Sequence, residues 1–237
     1  MDTLSPGQIY LADQRGLAET NSFRRYCTFN YAAYFAEHRK PFGKLEVFND
    51  EILAAKQASD FNIKQAAYIV LIPVTGEIIF EDAQGKVTTV DVGEIFVSHQ
   101  LKNSSFKILN PYEADWINFL YLQVQANEEA SNPVAKTFSF DFDATPNALI
   151  KVVSGEKETT QTLPFNMYMG RFDGRSDTVF TMQNSSSKLF AFVIAGAFEF
   201  QGRLLHERDG LALWDLHEAD LEALSNNAVV LMLEIKP

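Results

Sequence analysis

The sequence predicts an all-β protein built from two small β-barrels. Short apolar runs rich in Val, Ile, Phe and Tyr recur along the chain between turn residues, which is the texture of short strands. A strand–Gly–strand–Gly design occurs twice, in "YIVLIPVTGEIIFEDAQGK" with Gly76 and Gly85, and in "LFAFVIAGAFEFQGR" with Gly196 and Gly202. Each copy is followed by another glycine that opens a strand, Gly93 in "VDVGEIFVS" and Gly210 in "ERDGLALWD".

In chain order, two stretches near the start have a weak helical look, "NSFRRYCTFNYAAYF" and "DEILAAKQA". Strand signals then dominate, in "KLEVFNDEIL", "AYIVLIPV", "EIIFED", "GEIFVS", "SFKILN" and "INFLYLQVQ". "DAQGK" reads as a hairpin turn in which Gly85 supplies the positive φ. "QANEEASNPVAK" (125–136) is polar, contains a Pro and has no periodicity, so it reads as a linker or crossover. Strands resume in "ALIKVVSG", "FNMYMGRF", "TVFTMQN", "KLFAFVIAGAFEFQGR", "GLALWD" and "AVVLMLEIK", with "GEKETTQTLPF" a polar loop among them. The expected division is a first domain over 1–135 and a second over 136–237. Continuous apolar strands such as "AFVIAGAFEF" imply burial on both faces, as where the outer wall of one barrel packs on its twin.

Composition narrows the function classes. Of 237 residues 46% are hydrophobic, with 20 Phe and 8 Tyr, enough for a sizeable core. The net charge is −11, which repels phosphate backbones, so nucleic acid is not an expected partner. The densest basic stretch, "EHRKPFGK", is short and reads as a solvated loop. No apolar run approaches the length of a membrane span, and "MDTLSPGQIY" lacks the basic and apolar regions of a secretory leader. The lone cysteine, Cys27, fits a reducing cytoplasm.

Several segments resemble the pirin family of bicupins, which includes quercetin-2,3-dioxygenase-like proteins. "RRYCTFNYAAYF" is similar to that family's aromatic "HTFSF..YYD" segment, and "FGKLEVFNDEIL" resembles its "FG.LRVLNDD.V" strand and turn. "VTGEIIFEDAQGK" is similar to the hairpin "L.GELEHRDSLGN", and "RDGLALWD…LEALSNNAVVLMLEI" resembles the last strands of the second barrel. The resemblance implies a bicupin, two double-stranded β-helix barrels packed together. It also implies where a metal would sit, because metal-binding pirins use His-x-His, a later His, and a Glu two residues beyond it. Alternate strand residues face the same way, so such a pair delivers two imidazoles into the barrel. Counted from Gly76 and Gly93, the four positions fall on Asn62, Lys64, Phe106 and Ile108. None of these forms a competent ligand set, and Lys64 would set a positive charge where a cation belongs. No His lies between His38 and His99, so a shift of one residue recovers nothing.

His99, alternating with Ile95 and Val97 in "GEIFVSHQ", is the one candidate base for metal-free chemistry; its plainer role is a strand-end histidine. His206-Glu207 and His217-Glu218 are adjacent pairs whose side chains diverge on a strand, and they read as solvated turns. Cys27, near Arg24 and Arg25, is either an inert buried thiol or a redox sensor. Trp116 and Trp214 are expected in packing, or in the wall of a pocket. The expectation is a cytoplasmic pirin-like bicupin without metal or cofactor that binds a small organic molecule or a protein. In that reading Asn62, Lys64, Phe106 and Ile108 border the first barrel's pocket. The rival is a cupin enzyme, either a quercetinase-like dioxygenase or a metal-free isomerase using His99.

Overall fold

The structure is a computed structural model that describes residues 4–126, 135–155 and 162–237. The described residues form strands and one 3-10 turn, Ala12–Gln14, with no α-helix among them. In chain order the first strands are β1 (Gly7–Tyr10), β2 (Gly16–Glu19), β3 (Phe23–Cys27), β4 (Leu45–Leu53), β5 (Ala58–Asn62) and β6 (Ala67–Thr75). They are followed by β7 (Ile78–Asp82), β8 (Val87–Val90), β9 (Glu94–Gln100), β10 (Ser105–Leu109), β11 (Ile117–Gln125) and β12 (Ala135–Ser139). Then come β13 (Leu149–Val153), β14 (Phe165–Phe172), β15 (Asp177–Thr181), β16 (Lys188–Ala195) and β17 (Phe198–Phe200). The last are β18 (Arg203–Leu205), β19 (Gly210–Leu213), β20 (Glu218–Ala223) and β21 (Ala228–Ile235).

The two barrels repeat one plan. The first pairs a sheet of order β12-β9-β6-β11-β4-β3-β2 with a sheet of order β5-β10-β7-β8. The second pairs β1-β19-β16-β21-β14-β13 with β15-β20-β17-β18. The internal repeat read from glycines therefore marks equivalent hairpins, β6–β7 and β16–β17. Gly76 and Gly196 turn both of them, with φ of 74° and 77°. Each barrel's larger sheet ends on a strand that precedes the other barrel in the chain. β1 pairs with β19 of the second barrel, and β12 pairs with β9 of the first.

That exchange moves the division of the chain. The compact units are Arg15–Ser139 on one side and Met1–Gln14 with Phe140–Pro237 on the other, rather than 1–135 and 136–237. The first fourteen residues join the later unit because β1 has its hydrogen-bonding partner there. Most of the expected linker, residues 127–134, lies outside the described residues, as does the 156–161 part of the expected loop.

Each core grows from strand alternation. In the first barrel Leu53, Phe61, Ile69, Leu71, Phe80, Phe96, Phe106 and Tyr121 share one cluster. In the second, Leu189, Ala191, Val193, Phe198, Leu211, Val230 and Met232 do the same. Burying one such aliphatic or phenyl side chain contributes roughly 1.5–3 kcal/mol, so these clusters supply most of the drive for closure. β6 and β16 are buried on both faces along most of their length, which is why they read as unbroken apolar runs.

Parts of the helix-like stretches are strand, and none of either is helix. "FRRYC" is β3, because it pairs with β4 from Phe23↔Leu53 to Cys27↔Asn49, and tertiary pairing overrides a mixed local pattern. "DEIL" is the end of β4. The basic loop is only partly solvated: His38 and Lys40 are exposed, whereas Arg39 is buried. Trp116 is 49% exposed, which excludes the core among the places open to it, while Trp214 is half-buried. Among the described residues there is no helix long and apolar enough to cross a membrane.

Gly76 also has no room for a side chain, since a Cβ there would come 2.8 Å from Ile117 Cγ2 and 2.9 Å from Tyr112 Cε2. Gly85 shares the positive φ, but nothing lies within 4 Å of its Cβ position. Gly85→Ala should therefore cost only the left-handed backbone, about 1–2 kcal/mol. Gly76→Ala should lose a further ~1–3 kcal/mol from overpacking. Urea unfolding of the two variants checks this, and equal losses would contradict it.

Candidate functional site: the interior of the first barrel

β5 and β10 lie side by side in antiparallel register, Phe106 opposite Phe61 and Ile108 opposite Ser59. β10 alternates apolar and polar residues, and its buried positions are Phe106 and Ile108. On the β5 side the buried residues are Phe61 and Ile63, both in the barrel cluster with Phe106 and Ile108. Asn62 and Lys64, the expected pair, fall on the other parity and are exposed. The difference is one residue, which in a strand exchanges the faces. Of the four positions expected to border the pocket, Phe106 and Ile108 face inward and Asn62 and Lys64 do not.

The inward side chains pack as an aromatic stack. Phe61 and Phe106 are nearly coplanar in orientation, 2° apart with centroids 5.0 Å apart. Tyr121 on β11 tilts against Phe61 at 4.6 Å, Phe80 sits 5.2 Å from Phe106, and Phe96 lies 4.8 Å from Phe80. These spacings are within the range of favourable offset and tilted ring contacts.

Beside the stack is a buried polar cluster on β3, β4 and β11. Arg25 forms an ion pair with Glu51, directly across the β3–β4 ladder. Asn49 Nδ2 donates to the same Glu51 oxygen at 3.2 Å, and Gln123 hydrogen-bonds Tyr121. The Arg25 guanidinium lies 5.0 Å from the Tyr31 ring centre, 5.5 Å from Phe61 and 5.6 Å from Phe23, so its charge rests on aromatic faces. Burial pushes the Glu51 carboxyl above the usual carboxylate range, and Arg25 offsets this only in part. Burial also works against the Arg25 charge, but Glu51 more than compensates and holds Arg25 above its ordinary value. The two directions conflict over how far the pair favours ionisation. The direct contact decides it, because a neutral Glu51 would leave Arg25 a buried and uncompensated cation.

Comparison with known proteins fits this geometry. Residues 152–235 match the family model "Quercetinase C-terminal cupin domain". Quercetin 2,3-dioxygenase of Escherichia coli K12 is 22% identical over 226 residues, covering 94% of this chain and 97% of that protein. The crystal structure of YhhW from Escherichia coli superposes with a TM-score of 0.87 at 20% identity, covering 98% of both chains. That of bacterial pirin YhhW in complex with nickel(II) superposes with a TM-score of 0.84 at 18% identity, covering 98% of this chain and 100% of the other. The chain has the bicupin fold of these structures, and its sequence is similar to quercetin 2,3-dioxygenase.

A metal is implied by that fold, and the residues of this pirin-like chain can be tested against one. Phe61, Ile63, Phe106 and Ile108 offer only carbon on the inner face of β5 and β10. A first-row metal needs lone pairs from imidazole, carboxylate or thiolate. Among the described residues no group of three or more His, Cys, Asp or Glu converges in a way that could hold one. The inward set does not fit a metal.

The other residues singled out in the sequence are scattered. His99 pairs with Tyr68 in the ladder, and its ring lies tilted against that of Tyr68 with centroids 5.2 Å apart. Phe96, of opposite parity on β9, belongs to the interior cluster, so His99 faces away from the interior. It has no hydrogen-bonded carboxylate; its two ring nitrogens lack any hydrogen-bond partner in the protein. His206 and His217 are exposed. Cys27 is 1% exposed and its thiol is pushed up to about 11, mainly by burial and then by Glu51. The sensor role needed a lowered value, and the structure gives the reverse. Sequence reasoning missed the Arg25–Glu51 pair; the signal was an Arg and a Glu on strands that only the ladder aligns.

Two measurements follow. Arg25→Met or Glu51→Gln alone should cost about 3–5 kcal/mol by stranding a buried partner, whereas Arg25→Met combined with Glu51→Leu should recover most of it. Additive losses in urea unfolding would contradict the pairing. Cys27 should react with a soluble disulfide reagent at pH 8 only after denaturation; prompt native labelling would contradict its burial.

Proposed function

We propose that this pirin-like bicupin works without a metal, by binding a small organic molecule or a protein partner, rather than by dioxygen chemistry. The reading rests on one observation, the four inward carbon side chains Phe61, Ile63, Phe106 and Ile108, with Phe61 stacked on Phe106. An iron or nickel dioxygenase must present several nitrogen or oxygen ligands together, and the stacked Phe61–Phe106 pair offers none, which supports a metal-independent reading. The second reading, an isomerase built on His99, needs a ring directed inward beside a carboxylate, and His99 has neither. The single buried cysteine supports placing the protein in the cytoplasm.

Elemental analysis of tag-free protein after dialysis should find less than about 0.1 equivalent of iron, nickel, copper, manganese and zinc, since metal affinity follows from preformed ligands. Quercetin should not be consumed in air when nickel(II) or iron(II) is added. Near one equivalent of bound metal, or metal-dependent loss of quercetin, would return the dioxygenase reading to the front.

A further inference from the structure

Past its apolar core, the inner face of the first barrel continues in polar residues, and these line a cavity of about 350 Å³ between the β7–β8 hairpin and the end of β9. The volume is at the small end for ligand pockets, which begin at roughly 300 Å³. The wall does not include Asn62, Lys64, Phe106 or Ile108, so the cavity is separate from the filled centre.

Strand alternation decides what faces it. On β7 the core residues are Ile78 and Phe80, and the next residue of that parity is Asp82. On β8 Val90 belongs to the same core, and Thr88 and then Lys86 share its parity. On β9 Phe96 leads in the same way to Ser98 and Gln100, while His99 turns to the opposite face. Asp82, Lys86, Thr88, Ser98 and Gln100 all border the cavity. Charges on the core-facing side of a strand are the informative kind of polar residue, because a turn that is merely solvated directs them outward.

Asp82 and Lys86 bring one charge of each sign, and the backbone sets them opposite each other, since the Asp82 N–H donates to the Lys86 carbonyl at 3.0 Å. Their side chains do not pair. Asp82 Oδ1 accepts from the backbone N–H groups of Gln84 and Lys86, both at 2.9 Å, which leaves Oδ2 with capacity. The Lys86 ammonium has no ion-pair partner among the described residues. The rest of the polar wall is neutral. Ser98, Gln100 and Ser104 hydrogen-bond in a row at 2.9 and 3.2 Å, and the Gln100 amide keeps a further N–H.

Two unlike charges that line one small cavity without meeting match a ligand that carries both charges itself. A simple anion would face the Asp82 carboxylate, and a simple cation would face the Lys86 ammonium. We propose that this cavity binds a free α-amino acid, with its carboxylate on Lys86 and the Gln100 amide and its ammonium on Asp82 Oδ2. The proposal rests on the reading of the chain as a metal-independent binding protein and names its ligand class.

Saturation-transfer NMR titrations of the full chain test it, with L-alanine and L-serine as probes and acetate and ethylammonium as single-charge comparators. Saturable binding of an amino acid is expected, with each comparator weaker by about tenfold or more, as for the loss of one charge-assisted hydrogen bond. Lys86→Gln and Asp82→Asn should each weaken the amino acid by about tenfold. Lys107→Ala, at an exposed position of β10 away from the cavity, should leave binding unchanged. Lys86 is exposed, so its variant reports on the site even where Asp82→Asn loosens the hairpin. No saturable binding of either amino acid, acetate or ethylammonium bound as tightly, or equal binding by the Lys86 and Lys107 variants would overturn the site. Such a failure leaves the metal content untouched, so it is distinguishable from failure of the metal-independent reading.

Discussion

The stacked contact between Phe61 and Phe106 governs the rest of the first barrel. Strand alternation delivers one ring from β5 and one from β10 to the same interior point, and the ladder holds them directly opposite. Once two rings occupy that point, Tyr121 and Phe80 pack around them and the interior closes on carbon. A cupin interior can be closed in two ways, by ligands gathered around an ion or by side chains that fill the space themselves. The second removes the need to desolvate and pair several polar groups, which is the costly part of building a metal site.

The polar residues that stay inside are of a different kind. Arg25 and Glu51 bring a permanent positive charge and its counter-charge beside the stack, and three aromatic faces surround the guanidinium. On the opposite face of β4, Asp50 is paired with Arg15 and accepts from Asn118 at 2.6 Å. One short run, "NDE", therefore anchors β4 on both faces through buried carboxylates. Such pairs contribute little net stability while intact and much instability when halved, so they fix the strand register rather than strengthen the core.

Much of this architecture was legible in the chain. The hairpins at Gly76 and Gly196 could be read because a tight turn with positive φ favours glycine, and the apolar runs around them match β6 and β16. The parity of β5 could not be read. Counting back from Gly76 crosses the non-strand residues 63–66, where no strand alternation carries the parity across. The exchanged strands β1 and β12 were hidden for another reason, since Gly7 meets Leu213 across nearly the whole chain and no local pattern encodes that pairing. His99 was read with the correct neighbours, Ile95 and Val97, yet which face they shared with the interior depended on Phe96 packing against Phe80.

The most direct test of a self-filled first barrel is a crystal of the protein soaked in nickel(II), measured at the nickel absorption edge. The account predicts no anomalous peak inside that barrel and Phe61 still stacked on Phe106. A nickel peak there, held by inward nitrogen or oxygen ligands with the phenyl pair displaced, would contradict it.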